Sequence, residues 1–108
     1  MGILDLLRGP DINRGVSEYG ATPDAVLLDV RTPQEYREGH IPGSRNVPLH
    51  ALDDVNDVVS NKSTPVFVYC YSGARSRRAA STLQEMGYTR VRNLGGIAAY
   101  SGKVERLA

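Results

Sequence analysis

The chain has 108 residues, 41% hydrophobic and 23% charged, and its thirteen basic and twelve acidic side chains leave a formal net charge of +1. This is one ordinary soluble domain, able to bury about two thirds of its unfolded surface and too short for a second. So even a balance of charge argues for neither a nucleic-acid nor a membrane partner, and the single cysteine excludes an intramolecular disulfide.

Taken in order, MGILDLLRGP sets an acidic residue inside a very short apolar run with no basic segment before it. That is unlike a signal peptide, so the cytoplasm is the expected compartment. Ile3, Leu4, Leu6 and Leu7 make at most a short helical or hydrophobic arm, unstable unless docked. Asp11 reads as the N-cap of a helix with Ile12, Val16 and Tyr19 on one face and Gly20 as its stop. Thr22-Pro23-Asp24 turns the chain into Ala25 to Asp29, an apolar run of strand length that ends on Asp29 and Arg31. Thr32-Pro33-Gln34-Glu35 is a capping box with proline at the first helical position, so a short helix starts there and ends before Gly39. His40-Ile41-Pro42-Gly43 is a turn leading to a strand from Asn46 to Leu49, where Pro48 implies an edge position. His40 is read as holding that turn. Neither His40 nor His50 has zinc-ligand spacing, so no metal site is expected. Leu52, Val55, Val58 and Val59 mark the next helix, with Asp53, Asp54 and Asp57 on a solvated outer face.

After a polar turn from Asn61 to Pro65, Val66 to Tyr69 is an uninterrupted apolar run suited to a central parallel strand covered on both faces. From Arg75 the period becomes helical, with Ala79, Ala80, Leu83 and Met86 on one side and Arg77, Arg78, Thr82 and Glu85 on the other. Gly87 ends this helix, and Tyr88 can pack on Leu83 in a Schellman arrangement. Arg90 to Leu94 reads as a last strand, Gly95-Gly96 as a close turn and Ile97 to Tyr100 as a helical turn. The joint Cys70-Tyr71-Ser72-Gly73-Ala74-Arg75-Ser76 therefore puts a cysteine at a strand's carboxyl end, facing a helix N-terminus. Free N–H groups and the helix dipole converge on such a place and lower a thiol's pKa, which makes the thiolate nucleophile available. The competing reading of Cys70 is a buried small hydrophobe. Ser72, Gly73 and Ser76 suit a backbone nest around an anion, and Arg75 can turn a planar fork into it.

Cys70 to Ser76 resembles the active-site loop of rhodanese-type sulfurtransferases, Cys-x-x-Gly-x-Arg-Ser. Leu27-Leu28-Asp29-Val30-Arg31 with Glu35-Tyr36, Gly39-His40-Ile41-Pro42-Gly43 with Asn46, and Leu94-Gly95-Gly96 match the family in order and spacing. Ser44 stands where the family usually has alanine, and Tyr100 where a tryptophan commonly follows the double glycine. The resemblance covers about residues 25–102, leaving 1–24 as a short helical extension of a single domain, 1–108. It implies a three-layer α/β/α domain with a parallel sheet of about five strands; four can be placed, and the fifth is expected near Pro10 to Ile12. It also implies sulfur transfer through a persulfide on Cys70, with residues Tyr71, Ser72, Gly73, Ala74, Arg75 and Ser76 binding the substrate and Asp29 and Arg31 in support. Asp29 either orients the catalytic loop or leaves Arg31 to pair with Glu35. The donor is thiosulfate or a persulfide and the acceptor a thiol, cyanide or an acidic protein docking on Arg77 and Arg78, with no cofactor.

Two other readings share this architecture. Cysteine phosphatases and arsenate reductases also hold a thiolate in an anion-binding loop, but phosphatases carry arginine six positions after the cysteine, where this chain has Ser76. Arsenate reduction commonly uses a second thiol, which the chain lacks. A dedicated persulfide carrier or regulatory module acting on one protein partner is the remaining alternative.

Overall fold

The computed structural model describes residues 9–107, so the Ile3–Leu7 arm lies outside the described residues. Helix α1 (Ile12–Ala21) precedes strand β1 (Val26–Asp29), then come α2 (Pro33–Glu38), β2 (Arg45–Asn46), a 3₁₀ segment (Leu49–Asp57), β3 (Val66–Cys70), α3 (Ala74–Glu85), β4 (Val91–Gly96) and a 3₁₀ turn (Ile97–Ala99). The four strands pair in parallel in the order β2-β1-β3-β4. Strand β3 is central and buried at all five positions, which explains its unbroken apolar run.

Alternation along β3 divides the core. Val66, Val68 and Cys70 face a cluster with Leu28, Val30, Leu52, Val55, Val59, Ala79 and Leu83, covered by α3 and the 3₁₀ segment. Phe67 and Tyr69 face Ile12, Leu27, Ile41 and Leu94 under α1, with Val16, Tyr19, Ile97 and Tyr100 packed against them. The result is the three-layer α/β/α arrangement.

Local signals set most boundaries. Asp11 Oδ1 accepts from the N–H groups of Asn13 and Arg14, and Thr32 and Glu35 form the reciprocal capping box. At the end of α3 the N–H of Tyr88 donates to Leu83 O and that of Gly87 to Gln84 O, the paired bonds of a Schellman motif, with Gly87 at φ 103°. Four expectations are corrected. Pro10–Ile12 is not a fifth strand, because Asp11 commits it to starting α1. Helix α1 runs past Gly20 to Ala21. Strand β2 is Arg45–Asn46 rather than 46–49, although Val47 and Leu49 still donate to Asp29 O and Val30 O while Pro48 has no N–H to give. Gly95 and Gly96 are not a turn but the end of β4, where the register slips and leaves Leu94 unpaired.

Two glycines of α1 should respond oppositely to alanine. A Cβ on Gly15 would lie 2.4 Å from Leu94 Cδ2, and Leu94 is fully buried, whereas a Cβ on Gly20 meets nothing within 4 Å. Overpacking costs about 1–3 kcal/mol and helix propensity returns about 1 kcal/mol. Gly15→Ala is expected to lower stability by about 1 kcal/mol and Gly20→Ala to raise it by about 0.5–1 kcal/mol. Urea midpoints of the two variants check this; equal gains would mean that Leu94 can move aside.

Candidate active site

Strand β3 ends on Cys70 and α3 begins at Ala74, so only Tyr71, Ser72 and Gly73 lie between. Gly73 is the N-cap of α3 at φ 106°, a left-handed conformation costly to a residue with a Cβ, and it offers no side chain to the helix start. The sulfur fills that role. Gly73 N–H donates to Cys70 Sγ at 3.0 Å. The thiol in turn donates to Ser76 Oγ across 3.5 Å. Burial alone would push the Cys70 thiol up. The Ser76 hydroxyl and the N–H groups of Ser76, Gly73 and Arg75 outweigh it and hold the pKa below the ordinary thiol value.

Ser76 is fully buried and carries one hydroxyl proton, whose shortest acceptor is Asn93 Oδ1 at 2.6 Å. Asn93 Oδ1 also accepts from Gly95 N–H at 3.0 Å, which fixes the amide's orientation. Behind the loop, Gly96 permits a backbone approach that no other residue allows: its Cβ would lie 2.1 Å from Tyr71 O. Ala98 N–H donates to that same carbonyl at 3.0 Å.

The ion pairs differ from expectation. Arg31 does not meet Glu35; its guanidinium turns back on Asp29, with Nη2 2.6 Å from Oδ2 in a buried pair and the same nitrogen donating to the half-buried Gly39 O at 2.6 Å. Among the described residues no hydrogen bond joins Asp29 to the Cys70–Ser76 loop. Glu35 takes Arg75 instead, in a two-point contact of 2.7 and 3.0 Å, while its Oε1 still accepts Thr32 N–H at 3.0 Å. Arg75 beside it holds the Glu35 carboxyl well below its usual range, at about 2. His40 stacks on Tyr36 with ring centroids 3.9 Å apart and bonds Tyr36 O through Nδ1, a structural place in the turn.

Arg77 and Arg78 are both exposed but open onto different hollows. Arg77 lines one of about 550 Å³ with Pro10, Tyr71, Ser72 and Gly96, and Arg78 one of about 490 Å³ with Thr32, His50, Asp53 and Arg75. Sequence reasoning brought Cys70 through Ser76 together and missed three contributors. Glu35 was read as a capping residue and as a partner for Arg31 rather than for Arg75, Asn93 gave no signal, and Gly96 was read as a turn. Among the described residues no cluster of three or more His, Cys, Asp or Glu side chains is placed to hold a metal ion, and no helix is long and apolar enough to cross a membrane.

Ser76→Ala removes the hydroxyl that faces the sulfur and can turn its proton onto the thiolate once the thiol has lost its own, but leaves the backbone N–H groups, so the midpoint of alkylation against pH should move upward and alkylation near pH 7 should slow. An unmoved midpoint would assign the whole effect to the backbone. For Glu35 the folded pKa near 2 lies below the usual 4.5. The stability it contributes is therefore complete above about pH 4.5 and lost as pH falls toward 2. Both partners are about one third exposed, which limits the loss to about 1 kcal/mol or less. Acid titration of stability in wild type and Glu35→Gln should converge across that window.

Comparison with known proteins follows the same residues. The family model of the rhodanese-like domain matches residues 16–103. The chain is 45% identical over 83 residues to the uncharacterized protein YqhL of Bacillus subtilis, covering 75% of this chain and 64% of that one. It is 41% identical over 71 residues to the thiosulfate sulfurtransferase PspE of Escherichia coli, covering 65% and 68%. A solved rhodanese with anions from E. coli superposes with a TM-score of 0.71 at 35% identity, over 76% of this chain and 98% of that structure. The relatives' names support rhodanese-type sulfur transfer in general. With a family match across most of its length and the loop, double glycine and sheet order in place, this chain belongs to the rhodanese-like domain family.

Proposed function

We propose that the chain is a sulfurtransferase that carries sulfane sulfur as a persulfide on Cys70. The Cys70 thiolate attacks the outer sulfur of a donor such as thiosulfate. A bond forms between Sγ and that sulfur, the donor's S–S bond breaks, and sulfite leaves with the electron pair. A thiol or cyanide then attacks the outer sulfur and releases the thiolate, so no external oxidant or reductant is consumed. The observation that carries this reading is a buried sulfur at the start of a helix that accepts from Gly73 N–H at 3.0 Å and faces the Ser76 hydroxyl at 3.5 Å. Fixed dipoles of this kind stabilise negative charge on sulfur without reorganising. The loop from Tyr71 to Ser76 surrounds the terminal persulfide sulfur in this scheme, and no cofactor takes part. The relative named thiosulfate sulfurtransferase supports the choice of donor.

A partner-directed carrier is the second reading. The observation in its favour is Tyr71, which is 54% exposed at the tip of the loop where an aromatic side chain otherwise has little reason to stand. Loading and delivery of sulfur, measured separately, divide the two.

Incubation with thiosulfate under reductant-free conditions should raise the intact mass by one sulfur atom, and Cys70→Ser should abolish the gain. An unchanged mass in the wild-type protein would overturn the persulfide mechanism.

A further inference from the structure

The charges around the loop cancel in pairs. Arg31 is spent on Asp29 inside the domain, and both terminal nitrogens of Arg75 are spent on Glu35. On the Tyr71 side, Glu35 lines a hollow of about 320 Å³ with Glu38, Gly39, Arg31 and Ile97, and Glu38 makes no ion pair with any described residue. On the other side Arg75 lines the groove shared with Arg78, His50 and Asp53. The Arg75 guanidinium is turned to Glu35, so the cation of the loop itself is already neutralised when a donor arrives.

We infer that Glu35 sets the charge preference of the donor site: by occupying both arms of Arg75 it holds that cation back from dianionic donors and favours donors of lower charge. This rests on the sulfur-transfer reading above and adds a specificity-determining residue to it. The pair is partly exposed, with Arg75 at 36% and Glu35 at 30% side-chain exposure, so it can open to an incoming anion at modest cost. A dianion must compete with the carboxylate for the guanidinium, whereas a monoanion depends more on the backbone N–H groups, which Glu35 does not touch. Glu35 is also anchored from behind, because its Oε1 accepts Thr32 N–H in the capping box. The carboxylate cannot swing away without giving up that bond. Arg77 and Arg78 stay exposed and unpaired with any described residue, and they act on every anion by long-range attraction that salt screens.

Glu35→Gln is the suited variant, since glutamine keeps the reach back to Thr32 N–H and removes only the charge. Two sulfane donors differing by one charge, thiosulfate and methanethiosulfonate, are compared by single-turnover loading of Cys70 followed by intact mass. The variant should bind thiosulfate about tenfold more tightly, the worth of one recovered charged hydrogen bond. Its gain for methanethiosulfonate should be clearly smaller. In an Arg75→Gln background the gain from Glu35→Gln should vanish, which ties it to the guanidinium rather than to a general change in field. Equal gains for both donors, no gain for thiosulfate, or a gain that survives without Arg75 would each overturn the inference. Failure of the wild-type protein to load sulfur from either donor would instead remove the sulfur-transfer reading itself.

Discussion

Among the described glycines the tightest constraint is the distance between the end of β4 and the loop after β3. A single methyl group on Gly96 would press within 2.1 Å of Tyr71 O, so the two backbones touch with nothing between them. A bulge in β4 makes this contact compatible with the rest of the sheet. The ladder pairs Val68 with Asn93 and then Tyr69 with Gly95, which leaves Leu94 unpaired and directed into the face under α1, where it fills the space beside Gly15. Asn93 in turn presents its amide oxygen to Ser76 and to Gly95 N–H. The seating of α1, the shape of β4 and the orientation of the buried hydroxyl are thus one arrangement.

Within that arrangement the sulfur has a structural duty as well as a chemical one. A helix start leaves four N–H groups without intrahelical partners, and a side-chain oxygen usually takes one or two of them. Glycine at the cap of α3 supplies no such oxygen, and the Cys70 sulfur stands in its place. Ionising a thiol inside an apolar cluster is costly, and Cys70 does belong to the cluster with Val68, Val30 and Ala79. A charge-assisted bond from Gly73 N–H, with the Ser76 hydroxyl and the other N–H groups of the helix start, offsets that cost, because N–H groups at a helix start otherwise lack partners. Capping and acidity therefore have one physical origin.

Much of the fold was legible because its signals are local. The capping box at Thr32, the cap at Asp11 and the Schellman ending at Gly87 each lie within a few residues of chain, and the structure contains all three. The apolar run of β3 likewise identified the central strand. What escaped reading is non-local or depends on register. Periodicity does not announce a bulge, so Gly95-Gly96 looked like a turn. Arg31 and Glu35 are four apart and looked like partners, yet Arg31 sits two residues beyond Asp29 at a strand end where its fork closes back on the carboxylate with three hydrogen bonds and its backbone N–H adds a fourth. Glu35 was then left for an arginine forty positions away. Ser44, in place of the usual alanine, also has a reason only the structure supplies: its hydroxyl joins Ile41 O to the Tyr69 phenol in the core.

The loop turns its backbone toward the sulfur and most of its side chains outward. Tyr71, Ser72 and Ala74 are exposed, while Ser76, whose hydroxyl faces the sulfur, is buried. Donors built from backbone N–H survive almost any substitution at those outer positions, provided that Gly73 keeps its left-handed conformation and Gly96 keeps its missing side chain. The outer side chains are consequently free to vary with whatever approaches the loop, without disturbing the field that holds charge on sulfur. A side-chain cation cannot be separated in this way, because the guanidinium of Arg75 is shared with a carboxylate whose own position depends on the start of another helix. Charge selection at the rim and charge stabilisation at the sulfur are on this account carried by different atoms, the first by an ion pair that one substitution can retune and the second by the chain's own geometry.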